Sequence, residues 1–264
     1  MTSGLQILFL GTGTSTGVPL IGCECAVCQS DNPGNKRLRS SIIVEGSGTR
    51  ILVDSSPDLR QQALREGLAS VDAVLYTHCH LDHVAGFDDM RAFCWHHVEP
   101  LPLYASQGTM NVLHAMYPWA FSPENTYLGY IRPAPHVIGD ESFFIGAIRV
   151  TPVPVLHGSV ETHGYVFECG GVRVGYACDA KSIPESSLAL LTGLDALILD
   201  CLRRKEHPTH LCLEETLEIF RKVHPAQGVL THMSHDLDIE IISPMLPKGT
   251  EMARDGMRLG FTAR

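Results

Sequence analysis

Residues 77–86 read Thr-His-Cys-His-Leu-Asp-His-Val-Ala-Gly, and this stretch constrains the fold most tightly. Three histidines and one aspartate fall within six positions, directly after the apolar run Ala73-Val74-Leu75-Tyr76. That run has the length and composition of a buried strand, so the cluster hangs from a strand end, stiffly held but open to a cleft. Strand side chains repeat every two residues, which points His78 and His80 the same way. Asp82 and His83 fall where the chain turns toward a helix and project differently. Neutral imidazoles and a carboxylate are ligands for zinc, iron or manganese. One imidazole pair and one Asp/His pair suit two adjacent ions better than one. A merely His-rich polar turn would not need the strand before it.

Composition narrows the setting. The 264 residues fit one large α/β domain or two small ones, read here as a single domain over 1–264, and 44% hydrophobic residues suffice for a sizeable core. No stretch has the uninterrupted apolar length of a membrane span. A net charge of −9 argues against broad nucleic-acid binding, leaving nucleotides or short ends. Met1-Thr2-Ser3-Gly4-Leu5 lacks the basic start and apolar core of a secretory signal. Three of the nine cysteines crowd into 23–28, which reads as reduced thiols binding metal. The expectation is a cytoplasmic protein.

The opening strand, Leu5 to Leu10, runs into Gly11-Thr12-Gly13-Thr14-Ser15-Thr16-Gly17. Thr16 occupies the third glycine position of a dinucleotide fingerprint and no helix follows, so this is a tight turn toward a site rim. Cys23, Cys25 and Cys28 offer three thiolates in a Gly/Pro-bounded loop, where tetrahedral zinc wants a fourth ligand from elsewhere. The basic run Lys36-Arg37-Leu38-Arg39 reads as a solvated face, with phosphate binding as the functional alternative. Residues 42–45 and 50–54 read as a hairpin. Ser56-Pro57-Asp58 reads as the start of a helix, capped by Ser56 and ending near Gly67. Asp54, at a strand end, is expected to orient a loop or a metal-binding histidine. A helix is expected from Phe87 to about His97, with His96 and His97 at the surface or rim. The aromatics Trp119, Phe121, Tyr127 and Tyr130 fall in a loop-rich segment as packing, pocket wall or dimer contact. Three further extended runs end in His157, Asp179 and His232.

His78-x-His80-x-Asp82-His83, followed by those three strand-end residues in order, resembles the metallo-β-lactamase superfamily, mostly hydrolases with an αββα sandwich. The resemblance implies that His78, His80 and His157 hold one metal, that Asp82, His83 and His232 hold another, and that Asp179 bridges them. His235 is then the best fourth ligand for Cys23, Cys25 and Cys28. Gly-Val-Pro at 17–19, the Cys loop and Thr-His-Met-Ser-His at 231–235 further resemble the phosphoribosyl 1,2-cyclic phosphate phosphodiesterase branch of phosphonate breakdown. That branch implies two catalytic divalent metals, zinc or manganese, and one structural zinc. It also implies a small cyclic phosphodiester as substrate, attacked by metal-activated water, and a homodimer. His210, before a helix, matches its general acid, with His207 as a rival. Cys79 and Leu81 are variable positions of the motif. The alternatives are a tRNA 3′-processing endonuclease, for which the acidic chain shows no long basic insertion, and a thioester or lactam hydrolase. A non-catalytic metal protein would be expected to have lost ligands, and a flavo-diiron role would want a flavin domain.

Overall fold

Strand-forming apolar residues alternate along most of the chain and sort it into two seven-stranded sheets. This computed structural model describes residues 3–95 and 99–264. The first sheet contains β1 (Ser3–Gly11), β2 (Ser41–Gly46), β3 (Thr49–Val53), β4 (Ala73–Leu75), β5 (Leu101–Ser106), β6 (Pro133–Ile138) and β14 (Arg258–Thr262), in the order β14-β1-β2-β3-β4-β5-β6. The second contains β7 (Phe143–Ile145), β8 (Ile148–His157), β9 (Val160–Cys169), β10 (Val172–Ala177), β11 (Ala196–Asp200), β12 (Gly228–Thr231) and β13 (Thr250–Met252), in the order β13-β12-β11-β10-β9-β8-β7.

The sheets pack through Leu5, Ile7 and Phe9 of β1, Ile42 and Val44 of β2 and Ile51 and Val53 of β3, in one cluster with Val153, Phe167, Val174 and Leu197. The alternate residues Leu8, Leu10, Ile43, Leu52 and Val74 turn to the other face, where Leu59, Val84, Phe87 and Leu113 cover them. Helix Leu213–Val223 covers the second sheet through Ile219, Phe220 and Val223. Gly228 makes room for it, since a Cβ there would stand 2.7 Å from the Phe220 ring. The result is the expected αββα sandwich, two mixed sheets flanked by helices.

Topology brings the strand ends of interest to one edge. Strands β10, β11 and β12 are parallel, with Asp200 level with Thr231. Strands β3, β4 and β5 are parallel in the other sheet. The chain segments after these strands therefore meet at the carboxyl ends, where open α/β sheets place ligands. Strand β8 joins β9 through Gly158-Ser159, with His157 opposite Val160 and Gly158 at φ +59°.

Three local expectations need correction. The helix after Ser56 spans Leu59–Glu66, and Ser56 does not cap it. Its hydroxyl accepts from the Asp58 N–H (3.2 Å) and donates to Gln62 Oε1 (3.0 Å). The stop at Gly67, φ +63°, is as expected. Phe87–Met90 is a 3₁₀ turn leading into the short helix Arg91–Cys94, and His96 and His97 lie outside the described residues. Finally, the basic run is not a solvated face. Arg37 is 1% exposed and donates to the carbonyls of Gly34, Ser234 and Leu237 and to Asn35 Oδ1. Burial pushes its pKa down to about 10, and four acceptors stand in for water. Arg37 therefore ties the 34–37 turn to the loop around His235. Arg39 pairs with Asp58 at 2.9 Å.

Candidate metal centre

Seven of the predicted residues fall at the ends of β4, β8, β10 and β12 or on the turn after β4, and their donor atoms converge. His78, His80, His157 and Asp179 form one group whose ligand atoms lie within 4.8 Å of one another; Asp82, His83 and His232 form a second. In the first, His80 Nδ1 lies 2.9 Å from His78 Nε2 and 3.2 Å from His157 Nε2. Asp179 Oδ2 stands 3.7 Å from His78 Nε2 and 3.6 Å from His157 Nε2. In the second, His83 Nε2 lies 3.2 Å from Asp82 Oδ2, and His232 Nε2 lies 3.5 Å from the same oxygen. Asp179 Oδ1 is 3.3 Å from each of those two nitrogens. Asp179 thus turns one oxygen to each group.

The rings are aimed from behind. Thr77 Oγ1 donates to Asp54 Oδ2 (2.8 Å) and lies 3.0 Å from His78 Nδ1, so it accepts the proton of that nitrogen. Asp54 Oδ2 also takes the His83 Nδ1 proton at 2.8 Å, while Oδ1 takes the Thr77 N–H at 2.8 Å. His157 Nδ1 donates to the Thr209 carbonyl at 2.8 Å. Each bond fixes a tautomer that leaves the Nε2 lone pair facing the group. Asp54 therefore orients a histidine, as expected. It does so at φ +63°, and His232 sits at φ +57°, a left-handed backbone that costs of order 1–3 kcal/mol per residue.

These residues fit divalent metal ions. Donors about 2.0–2.2 Å from one ion at tetrahedral angles stand roughly 3.3–3.6 Å apart, close to the spacings here. His83 Nε2, His232 Nε2 and Asp179 Oδ1 are buried without a hydrogen-bond partner, which is costly unless something else satisfies them. Burial holds His78 well below the usual imidazole range and lowers His80 and His157, which favours the neutral ring, the form that can ligate a metal. At His83 burial also lowers the pKa, but Asp82, Asp179 and Asp54 outweigh it and hold the ring well above its usual value. Those carboxylates demand positive charge where the second group converges.

The Cys loop meets its predicted partner across the chain. The thiol sulfurs of Cys23, Cys25 and Cys28 lie 3.2, 3.4 and 3.5 Å from His235 Nδ1. The Cys28 backbone N–H donates to Cys25 Sγ and draws the Cys25 pKa down to about 7; burial pushes Cys28 up to about 11. Three sulfurs and one imidazole at these spacings fit tetrahedral zinc.

A cleft of about 340 Å³ opens onto the His/Asp groups, lined also by Ser15, Ser159 and Thr209. Two larger cavities, an apolar groove of about 460 Å³ lined by Leu64, Phe93 and Trp95 and a surface groove of about 670 Å³ beside Asn32, Ile239 and Arg254, hold no comparable donor set among the described residues. His210 lines the cleft, with Nε2 4.0 Å from Asp179 Oδ2, whereas His207 sits behind it, its ring 5.2 Å away. Burial lowers the His210 pKa. Trp119, Tyr127 and Tyr130 pack edge-on against one another at the surface and are not among the cleft's lining residues. Sequence reasoning missed Asp200, whose Oδ2 accepts from His210 Nδ1 at 2.8 Å. Its signal was present: Ala196-Leu197-Ile198-Leu199 is one more apolar run ending in a ligand-type residue.

The β-lactamase superfamily domain matches residues 49–233, most of the chain. The protein therefore belongs to the β-lactamase superfamily and has the metallo-β-lactamase fold. Within it, the chain is 39% identical to a solved diphosphatase of the PhnP family, covering 100% of this chain and 99% of that one with a TM-score of 0.91. That likeness agrees with the phosphodiesterase branch suggested by the motifs. The octanoyltransferase of Porphyromonas gingivalis is 36% identical over 253 residues, 93% of this chain; the chain spans about half of that relative's length. Zinc-bound PqqB from Methylobacterium extorquens shares the fold, with a TM-score of 0.80 at 23% identity over 97% of this chain and 100% of that one. Among the described residues, no helix is long and apolar enough to cross a membrane.

Proposed function

We propose that this protein is a phosphodiesterase acting on small diesters, cyclic ones such as phosphoribosyl 1,2-cyclic phosphate foremost, with two divalent metals at the His/Asp groups and a structural zinc at the Cys loop. The observation that carries the reading is the split of Asp179, one oxygen 3.6–3.7 Å from the first group's histidines and the other 3.3 Å from the second's. A metal pair held there lowers the pKa of water and offsets charge on phosphoryl oxygens. The chain's own residues do the rest. Asp179, Asp82 and the five histidines fix where the phosphorus sits. Ser15, Ser159 and Thr209 border a cleft sized for a small ester. His210 keeps its Nδ1 proton on Asp200 and turns Nε2 into the cleft, so a second proton on Nε2 is placed for the departing alkoxide. The acidic chain supports a small substrate over RNA.

The test joins metal content to activity. About three metals per chain, with cleavage of both bis(p-nitrophenyl) phosphate and a cyclic ribose phosphate, is the expected result. Two metals with no diesterase activity would redirect the search to thioesters or RNA ends. His210→Ala should slow alkyl diesters by roughly 10²–10⁴ and nitrophenyl diesters far less, because only poor leaving groups need the proton. Equal losses would remove His210 as the acid.

A further inference from the structure

We propose that Asp200 is a positioning residue for two rings: one buried carboxylate sets the orientation and tautomer of both His232, in the second donor group, and His210, in the cleft. Asp200 ends β11 and is 0% exposed. Its Oδ2 accepts from the Ala180 N–H (2.9 Å) and from His210 Nδ1 (2.8 Å). Its Oδ1 has no hydrogen-bond partner and faces His232 Nδ1, also without one, at 3.9 Å. Two buried polar atoms facing one another across that gap are satisfied together if the ring moves by about 1 Å, giving an Nδ1–H to Oδ1 bond. His232 then turns a bare Nε2 toward Asp82 and Asp179. The parallel register that sets Asp200 level with Thr231 brings carboxylate and ring together, and Thr216 Oγ1 pins the strand end by donating to the Asp200 carbonyl at 2.6 Å.

Only a carboxylate serves both rings. An amide has one acceptor oxygen, so Asn at this position presents an N–H₂ donor to one of the two imidazoles and reverses its tautomer. The His210 half of the inference rests on the phosphodiesterase reading; the His232 half needs only metal binding.

The first measurement is on wild-type, zinc-loaded protein labelled with ¹⁵N-histidine, where two-bond ¹H–¹⁵N spectra read each ring's tautomer. His210 and His232 should both carry a proton on Nδ1, with His210→Ala assigning its signal; a bare Nδ1 on either ring overturns the proposal. Asp200→Asn should then weaken one bound zinc by roughly 10- to 100-fold and leave the others in place. It should also lower kcat for alkyl diesters more than for nitrophenyl diesters, with Asp200→Glu recovering part of both. Unchanged zinc affinity and unchanged leaving-group dependence in a folded Asp200→Asn protein overturn it. If that variant does not fold, the wild-type spectra still decide. Absence of any diesterase activity in the wild type would sink the functional reading alone, since tautomers and zinc affinity are measured without substrate.

Discussion

The His/Asp groups and the Cys loop are both donor constellations assembled across the chain, yet they are held in opposite ways. The first gathers at strand ends and on the turn after β4, and three of its rings are backed by buried partners: His78 by Thr77, His83 by Asp54 and His157 by the Thr209 carbonyl. The sheets supply the geometry before any ion arrives. Cys23, Cys25 and Cys28 sit on a loop with one four-residue helix and a small apolar cluster of its own, beside an Ile21 that is 97% exposed. Those sulfurs meet around His235, and two of them accept from the backbone N–H groups of Leu20 and Cys28. The difference teaches that the His/Asp donors are placed by the fold itself, whereas the sulfurs rest on a loop that an ion bound there would pin.

The sharpest way to break the comparison is Asp179→Ala. Removing the shared oxygens should cut kcat/KM by about 10³ or more, at least roughly 4 kcal/mol, while zinc at the Cys loop stays bound. Co-loss of every metal, seen by elemental analysis, would mean that the two sites are not independent. A smaller effect is expected for Asp54→Asn, which keeps the shape but weakens the hold on His83: about 10- to 100-fold in metal affinity, with the Cys loop untouched. The smallest concerns protonation. In metal-free protein, Cys25 should react with iodoacetamide with a midpoint near pH 7, because the Cys28 N–H favours its thiolate, whereas buried Cys28 should stay protonated and slow until about pH 11. Zinc binding at the loop should therefore weaken as pH falls from about 11, where Cys28 takes up a proton, and more steeply below about 7, where Cys25 does too. Midpoints that coincide for the two thiols would show that the backbone bond to Cys25 does not form without metal.

Much of this was legible because strand ends are a local property. An apolar run that stops at His, Asp or Cys announces both the strand and the direction of its last side chain, which is why His78, His80, His157, Asp179 and His232 stood out. Asp200 obeyed the same rule and was passed over because it lies outside the expected ligand motif. The misread features depend on distant neighbours. Nothing near Arg37 signals that the carbonyls of Ser234 and Leu237 will surround it, and Ser56 loses its capping role because Gln62 and the Asp58 N–H engage its hydroxyl.

The sequence by itself determined the donor chemistry, the strand ends that carry it and the αββα class, since residue type, periodicity and spacing suffice for those. Only the tertiary structure decided which oxygen of Asp179 faces which group, that His210 and not His207 borders the cleft, and that Asp200 stands between two imidazoles. Those are matters of strand register and sheet packing, where a shift of one residue turns a side chain to the opposite face.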